Sequence, residues 1–374
     1  MNWSKNIKKL TTKLFITCGV LTTLTACDNS FIYDDEGDCT PHYRMIFDYS
    51  MNLKWTNAFH NGEAKSVRVY AFDKKTNKLV KTYTVSDAEA LQKENFYIDL
   101  DLEPGDYHFV GWCGIDNTNV SEQSFEAPET PGMTLEDLYC KLNWKSNSEY
   151  EAYSDTMLQW MFWGEVDGVI ESENETGGYI YYTMPLIKDV NHISITLMQQ
   201  NNEPISEDDF EFKIVTENGL MSYDNSLLSS PVINYLPWDI KPVIWTTSDD
   251  VDSETDPETK SGETVDDNNF SYHGLKVDIT MGRIVASQRD NLYLIVTKKA
   301  DNKVSFKIPF VQYALNNLSY YEIAYEHRMS SQEFLDRKDE YELTLVLGED
   351  LKYLNLKLDI LSWRIVEHYY ELTS

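Results

Sequence analysis

Apolar residues in this chain recur at every second position, in short runs separated by polar turns, and that period restricts it to β architecture. "HYRMIFDYS" at 42–50 puts Tyr43, Met45, Phe47 and Tyr49 on one face. "SVRVYAFD" sets Val67, Val69 and Ala71 opposite Arg68, Tyr70 and Phe72, and "KLVKTYTV" follows after the polar turn "DKKTN". "FYIDLDL" aligns Phe96, Ile98, Leu100 and Leu102, and "EPGD" then turns the chain into "YHFVGWC". A meander with turn signals this close together is the pattern of an antiparallel sandwich.

The alternation resumes at "LQWMFWGEV" and "GYIYYTMPL", and "HISITLMQQ" and "DFEFKIVTEN" open a second sandwich. The later strands are "YHGLKVDITMGR", "LYLIVTKK", "VSFKIPF", "YELTLVLG" and "LKLDILSWRIVEHYYEL". A length of 374 residues suits two domains. The expected seam lies near Pro185 to Val190, giving an N-terminal β-sandwich over 39–187 and a C-terminal one over 188–374. Short helices are expected in the connections. "SDAEALQKE" reads as one, with Ser86 as its N-cap, and "MTLEDLYCKL" as another. Residues 248–267, "SDDVDSETDPETKSGETVDD", carry many like charges and only two valines of any apolar size, the composition of a solvated loop.

The N-terminus is of a different kind. Lys5, Lys8, Lys9 and Lys13 precede the apolar run "LFITCGVLTTLTA", with no acidic residue among the first 26. The run is about 13 residues, too short for a bilayer that needs roughly 20, and residues 1–26 read as a signal peptide. Leu24-Thr25-Ala26-Cys27 fits the bacterial lipobox. Cleavage there leaves Cys27 as a lipid-bearing mature N-terminus. Two or three acyl chains on one cysteine hold a protein stably on a membrane, where one chain holds it marginally. Residues 27–38 form an acidic tether.

Losing the four signal lysines takes the formal charge from −30 to −34. A body this acidic disfavours nucleic acid and anionic lipid as partners. Cys39, Cys113 and Cys140 are the cysteines left over. Three is an odd number, so at most one intramolecular disulfide forms, and the sequence leaves its pairing open.

Motifs for chemistry are sparse. Asp250, Asp252, Glu254 and Asp256 alternate within the acidic loop, but the glycine and terminal glutamate of an EF-hand loop are missing. There is no His-Glu-x-x-His, no Cys-x-x-Cys, no Gly-x-Ser-x-Gly and no phosphate-binding loop. His42 and His108 sit on strands and read as packed or surface side chains. "WMFW" at 160–163 could stack on sugars, but on an alternating strand it reads as core. No enzyme, metal, cofactor or small-molecule substrate is expected.

The strands also carry a resemblance. "DC-x-P-x-Y" at 38–43 leads into a strand ending in "DYSMN". There follow "AF", the "V-x-V-Y-x-FD" strand and "L-x-PGDYHFVGW", and in the second half "QEFLDRKDEYELTLVL" and "SWRIVEHYYEL". This ordered set resembles the fimbrial anchor (FimB-like) subunits of Bacteroidales, the lipoprotein bases of type V pili, across essentially the whole mature chain.

The resemblance implies two tandem transthyretin-like β-sandwiches, no catalysis, and fimbrial shaft pilins as partners. Shaft subunits of such pili lose their first strand after cleavage at a basic residue, and a neighbour's C-terminal strand fills the groove. An anchor keeps its lipid, stays on the outer membrane and donates a strand. Between Cys27 and Arg44 there is no Lys or Arg, so no basic site separates lipid from body before the first strand. Residues 355–374 are the candidate donor segment, with Leu361, Trp363, Ile365, His368 and Tyr370 as its partner-binding residues. The plainer expectation is a last strand pairing within its own domain. The competing function is a surface lipoprotein that binds glycans or peptides without a polymer partner.

Overall fold

The computed structural model of the chain describes residues 41–369, apart from 55–57, 60–61, 116–122, 129, 131, 173–177, 247–270, 349–353 and 361–363; of residues 245–246 and 354–369 it describes the backbone only. The first strands are β1 (His42–Asp48), β2 (Val67–Asp73), β3 (Lys78–Val85), β4 (Ile98–Asp99) and β5 (Gly105–Cys113). Next come β6 (Phe125–Glu126), β7 (Tyr139–Leu142), β8 (Ala152–Ser154), β9 (Phe162–Ile170), β10 (Tyr179–Pro185) and β11 (Ile187–Lys188). The second half opens with β12 (Asn191–Gln199), β13 (Phe210–Thr216), β14 (Leu220–Ser222), β15 (Ile233–Tyr235) and β16 (Asp239–Thr246). It closes with β17 (Ser271–Met281), β18 (Tyr293–Lys298), β19 (Lys303–Pro309), β20 (Glu340–Leu347), β21 (Leu354–Ile360) and β22 (Arg364–Tyr369). Short helices fill connections: α1 (Ala88–Leu91), α2 (Phe310–Leu315), α3 (Leu318–Ala324) and α4 (Ser331–Arg337). The all-β reading with short connecting helices holds.

The N-terminal sandwich packs a three-stranded sheet, β10-β1-β4, on a five-stranded one, β11-β9-β5-β2-β3. Tyr43 and Met45 of β1 meet Val67, Val69 and Ala71 of β2 and Phe109 of β5 in the core between them. The other face of the same sheet is apolar too. Tyr70, Phe72, Val110 and Trp112 join a second core with Leu138, Cys140 and Leu142. That explains why β2 reads as apolar on both faces: each face has its own core to fill. The second core continues through Ile193, Ile195, Leu197, Phe212, Leu275 and Leu343 of the C-terminal half. There a six-stranded sheet, β16-β17-β12-β20-β21-β22, accompanies a five-stranded one, β19-β18-β13-β15-β8.

Two strand pairings cross the seam expected at 187/188. β14 pairs with β7, and β15 pairs with β8. A small third sheet, β14-β7-β6, results.

Several local expectations need correction. Most pairings are antiparallel as expected, but β1–β10, β12–β20 and β15–β8 are parallel. A period of two is common to both arrangements, so alternation could not separate them. The helix expected in "MTLEDLYCKL" is a single 3-10 turn, Leu135–Asp137, followed by β7. Asp137 accepts from the Thr134 backbone and hydroxyl at 2.8 Å each, which closes the turn early. Cys140 and Leu142 then alternate into the core. The cap of α1 is Asp87 in place of Ser86, its carboxylate accepting from Glu89 N at 2.9 Å. The C-terminal apolar segment is two strands, β21 and β22. Cys113 and Cys140 are free, fully buried thiols. Burial pushes both thiols up, away from the reactive thiolate. Cys39 lies outside the described residues.

Candidate functional site

Strand β1 occupies the middle of its sheet. It runs parallel to β10 from His42↔Tyr179 to Asp48↔Pro185 and antiparallel to β4 at Arg44↔Asp99 and Met45↔Ile98. The register sets Arg44 on the outer face between two rings, with its guanidinium 3.7 Å from the Tyr97 centroid and 3.7 Å from that of Tyr179. Arg44 Nε donates to Asp99 Oδ1 at 2.9 Å. Arg44 is the first Lys or Arg after Cys27, and its peptide bond lies within a strand paired on both sides. Limited trypsin digestion of the folded protein is therefore expected to spare the Arg44–Met45 bond. Replacing Asp99 and Tyr179 together by alanine should speed cleavage there, read by the mass of the released N-terminal peptide. Equal rates in the two proteins would show that the clamp does not protect the strand.

The chain passes from β11, at the edge of the N-terminal five-stranded sheet, to β12 of the six-stranded sheet, and this passage is charged and buried. Lys188 Nζ lies 2.6 Å from Asp339 Oδ2, 3.1 Å from Glu63 Oε2 and 3.8 Å above the Trp160 ring. Lys54 adds contacts to Asp339 at 3.0 Å and Glu340 at 2.5 Å. The side chains of Lys188 and Asp339 are 2% and 5% exposed, so this is an interior ion pair. Burial opposes the charge of Asp339, but Lys188 and Lys54 outweigh it and hold the carboxyl below its usual range. Asp339 directly precedes β20, the neighbour of β12. The cluster therefore ties residues of the first sandwich (Lys54, Glu63, Trp160) to the central strands of the second. One signal for it was present in the sequence: Lys188-Asp189 interrupts the otherwise apolar run "MPLIKDV".

At the far end, β20 is paired with β12 on one side and β21 on the other. Among the described residues β22 pairs only with β21, over the six positions from Asn355↔Tyr369 to Ile360↔Arg364, and ends the sheet order. The last strand thus stands at the edge of the largest sheet, held by a single ladder.

Of the residues singled out from sequence, Ile365 and His368 lie on β22, opposite Asp359 and Leu356. Leu361, Trp363 and Tyr370 lie outside the described residues, as do Cys27 and the acidic positions 250–256. His42 is exposed at the start of β1. His108 is half-buried between Glu165 at 3.4 Å and Asp167 at 2.8 Å, two carboxylates that raise its pKa. Within "WMFW", Met161, Phe162 and Trp163 are buried, and Trp163 Nε1 donates to Tyr223 O at 2.8 Å. Among the described residues no group of three or more His, Cys, Asp or Glu is placed to hold a metal ion. No helix among them is long and apolar enough to cross a membrane.

This architecture is that of solved proteins described as adhesins and as a fimbrial anchor. A candidate adhesin of Bacteroides thetaiotaomicron aligns at 27% identity with a TM-score of 0.67, over 86% of this chain and 97% of its own. A second protein of that species, described as a candidate polysaccharide-binding protein, aligns at 23% identity with a TM-score of 0.64, over 88% and 98%. The fimbrial anchor protein Mfa2 of Porphyromonas gingivalis shares the fold at 16% identity and a TM-score of 0.57, over 88% and 100%. No curated protein matches. The family model described as fimbrillin-A associated anchor proteins Mfa1 and Mfa2 matches residues 35–369, and the chain belongs to that family.

Proposed function

We propose that the chain is an outer-membrane lipoprotein that anchors and terminates a fimbria, supporting cell adhesion. In this reading Cys27 carries the lipid, residues 27–38 are the tether, and the sandwiches over 39–187 and 188–374 form the body. Segment 355–374 supplies the strand given to a shaft pilin. The observation that carries the reading is an asymmetry between the two ends: β1 fills the middle of its own sheet, while β22 closes the order of the largest sheet. A chain that fills its own first groove can give a strand without receiving one. Its fibre then grows in one direction only.

Strand exchange uses main-chain hydrogen bonds for affinity and alternate side chains for specificity. Donation of β22 competes with its pairing to β21. Only one ladder opens, and the new one replaces its bonds. β20 keeps its pairing with β12.

The lipid half of the reading is tested separately. Cys27→Ala is expected to move the protein from the outer-membrane pellet to the soluble fraction, since a body of charge near −34 has no electrostatic hold on an anionic surface. Pelleting of Cys27→Ala at the wild-type level would overturn it.

A further inference from the structure

The link between the sandwiches holds a carboxyl group that the Lys188–Asp339 cluster does not use. Asp189 is fully buried, and its backbone N–H donates to Met161 O at 2.8 Å. Its Oδ1 accepts from Asn225 Nδ2 at 3.0 Å. Its Oδ2 has no partner, and neither has Asn225 Oδ1, although both atoms are sealed from solvent. Buried polar atoms are nearly always paired, and two orphans on groups already joined by one hydrogen bond call for a common cause. Both are acceptors as long as the carboxyl is ionised. A carboxylic acid has one donor and one acceptor side by side, and so does a carboxamide. A single proton on Oδ2 lets the two groups close a ring of two hydrogen bonds and leaves no orphan.

We propose that Asp189 is held as the neutral acid, with its Oδ2–H donated to Asn225 Oδ1, so that acid and amide form a closed pair pinning the Ser222–Asn225 turn to the link between the sandwiches. Asn225 suits both parts of the task. Its backbone adopts φ +61°, a left-handed conformation that asparagine tolerates, and its N–H closes the turn on Ser222 O at 3.0 Å.

The surrounding charges are compatible with a neutral Asp189. Arg283 Nε is 3.7 Å from Oδ1, but its guanidinium is engaged by Asp336 Oδ1 at 2.9 Å and by the carbonyl of Asn225. Asp336, on α4, is a like charge facing Asp189. Lys188 is committed to Asp339 and Glu63. Cys140 and Tyr49 also face the site, and burial pushes both up, so they stay neutral. Burial is the dominant influence on Asp189 itself and, against the pull of Arg283 and the Asn225 amide, raises its pKa to about 7.

A carboxyl with a folded-state pKa above its unfolded one binds more protons when folded. Its contribution is complete below the unfolded value and is lost as pH rises through about 7. Asp189→Asn is the informative variant, because an amide can donate to Asn225 Oδ1 at every pH. Urea unfolding of the full chain and of Asp189→Asn, at pH values from 5 to 8, subtracts all other titrating groups. The ratio of the wild-type folding constant to that of the variant is expected to fall by roughly tenfold per pH unit on approaching the folded-state pKa. A ratio that is flat, or that rises with pH, would mean an ionised Asp189 held by Arg283 and would overturn the proposal. The wild-type protein gives an independent measurement should the variant fold poorly. Its infrared spectrum at pH 6 is expected to keep a protonated carboxylic-acid carbonyl band that disappears by pH 9, and absence of that band at pH 6 would also overturn it.

Discussion

Replacing Asp339 by alanine is expected to destabilise the protein by about 3–5 kcal/mol, the usual consequence of removing one member of a buried ion pair. The loss is more than that of one attraction. Lys188, with a 2% exposed side chain, keeps only Glu63 and the Trp160 ring. Its charge remains in the interior with much of its compensation gone. Lys188→Met is expected to cost less, because Asp339 retains Lys54 at 3.0 Å. The double variant Lys188→Met/Asp339→Ala should be more stable than the sum of the single effects predicts, since no uncompensated charge is left behind. Urea unfolding of the four proteins in a double-mutant cycle checks this, and additive losses would show that the pair is not coupled. The pH dependence has a definite sign. The folded-state pKa of Asp339 is depressed, so its contribution is present above the ordinary carboxylate range and lost as pH falls through it. The deficit of Asp339→Ala should therefore shrink in acid. Asp189, the residue after Lys188 but outside that cluster, titrates with the opposite sign. Acid weakens one tie across the junction and alkali the other.

In the proposed role the protein stands between a tether and a fibre, and tension entering at the C-terminal strand would pass through β20 and β12 to the Asp339–Lys188 contact. One continuous core reinforces this path, since Tyr70, Phe72 and Trp112 of the first half share it with Ile193, Leu275 and Leu343 of the second.

How much of this was legible depended on distance along the chain. Of the alternating set Tyr43, Met45, Phe47 and Tyr49, the first three lie on β1 and Tyr49 just follows it; Phe47 is half-buried and the other three are buried. The double-sided apolarity of β2 was equally visible, although which core each face fills was not. Parallel pairing leaves no periodic trace, so the partnership of β1 with β10, more than 130 positions downstream, could not be read from either strand. Asp339 lies 151 positions from Lys188 and looks like any other acid before a strand. A charged pair in an apolar run marked one end of that contact and left its partner unnamed. The Asp189–Asn225 pair is hidden for the same reason. "TLEDLY" favoured a helix locally, but the Thr134–Asp137 turn and the burial of Cys140 and Leu142 favoured a strand. The terminal apolar segment reads as one strand because the three residues between β21 and β22, Leu361, Ser362 and Trp363, include no glycine or proline.

The largest functional effect is expected from removing residues 362–374. The truncation takes away all of β22 and stops short of β21, which keeps its pairing with β20. β21 stays paired with β20 in the truncated chain, so the body should fold with a melting curve close to that of the full chain. Pilin retention should be lost, because the strand that would enter a neighbour's groove is gone. A folded body without fibre retention separates a donor role from a structural one; collapse of the fold would instead make β22 part of the scaffold.

The decisive measurement is a pull-down of the tagged protein from outer membranes, comparing the full chain with the 362–374 truncation at equal membrane abundance. The account predicts that a shaft pilin co-purifies with the full chain and is absent from the truncated one. Recovery of the same pilin by both would contradict it.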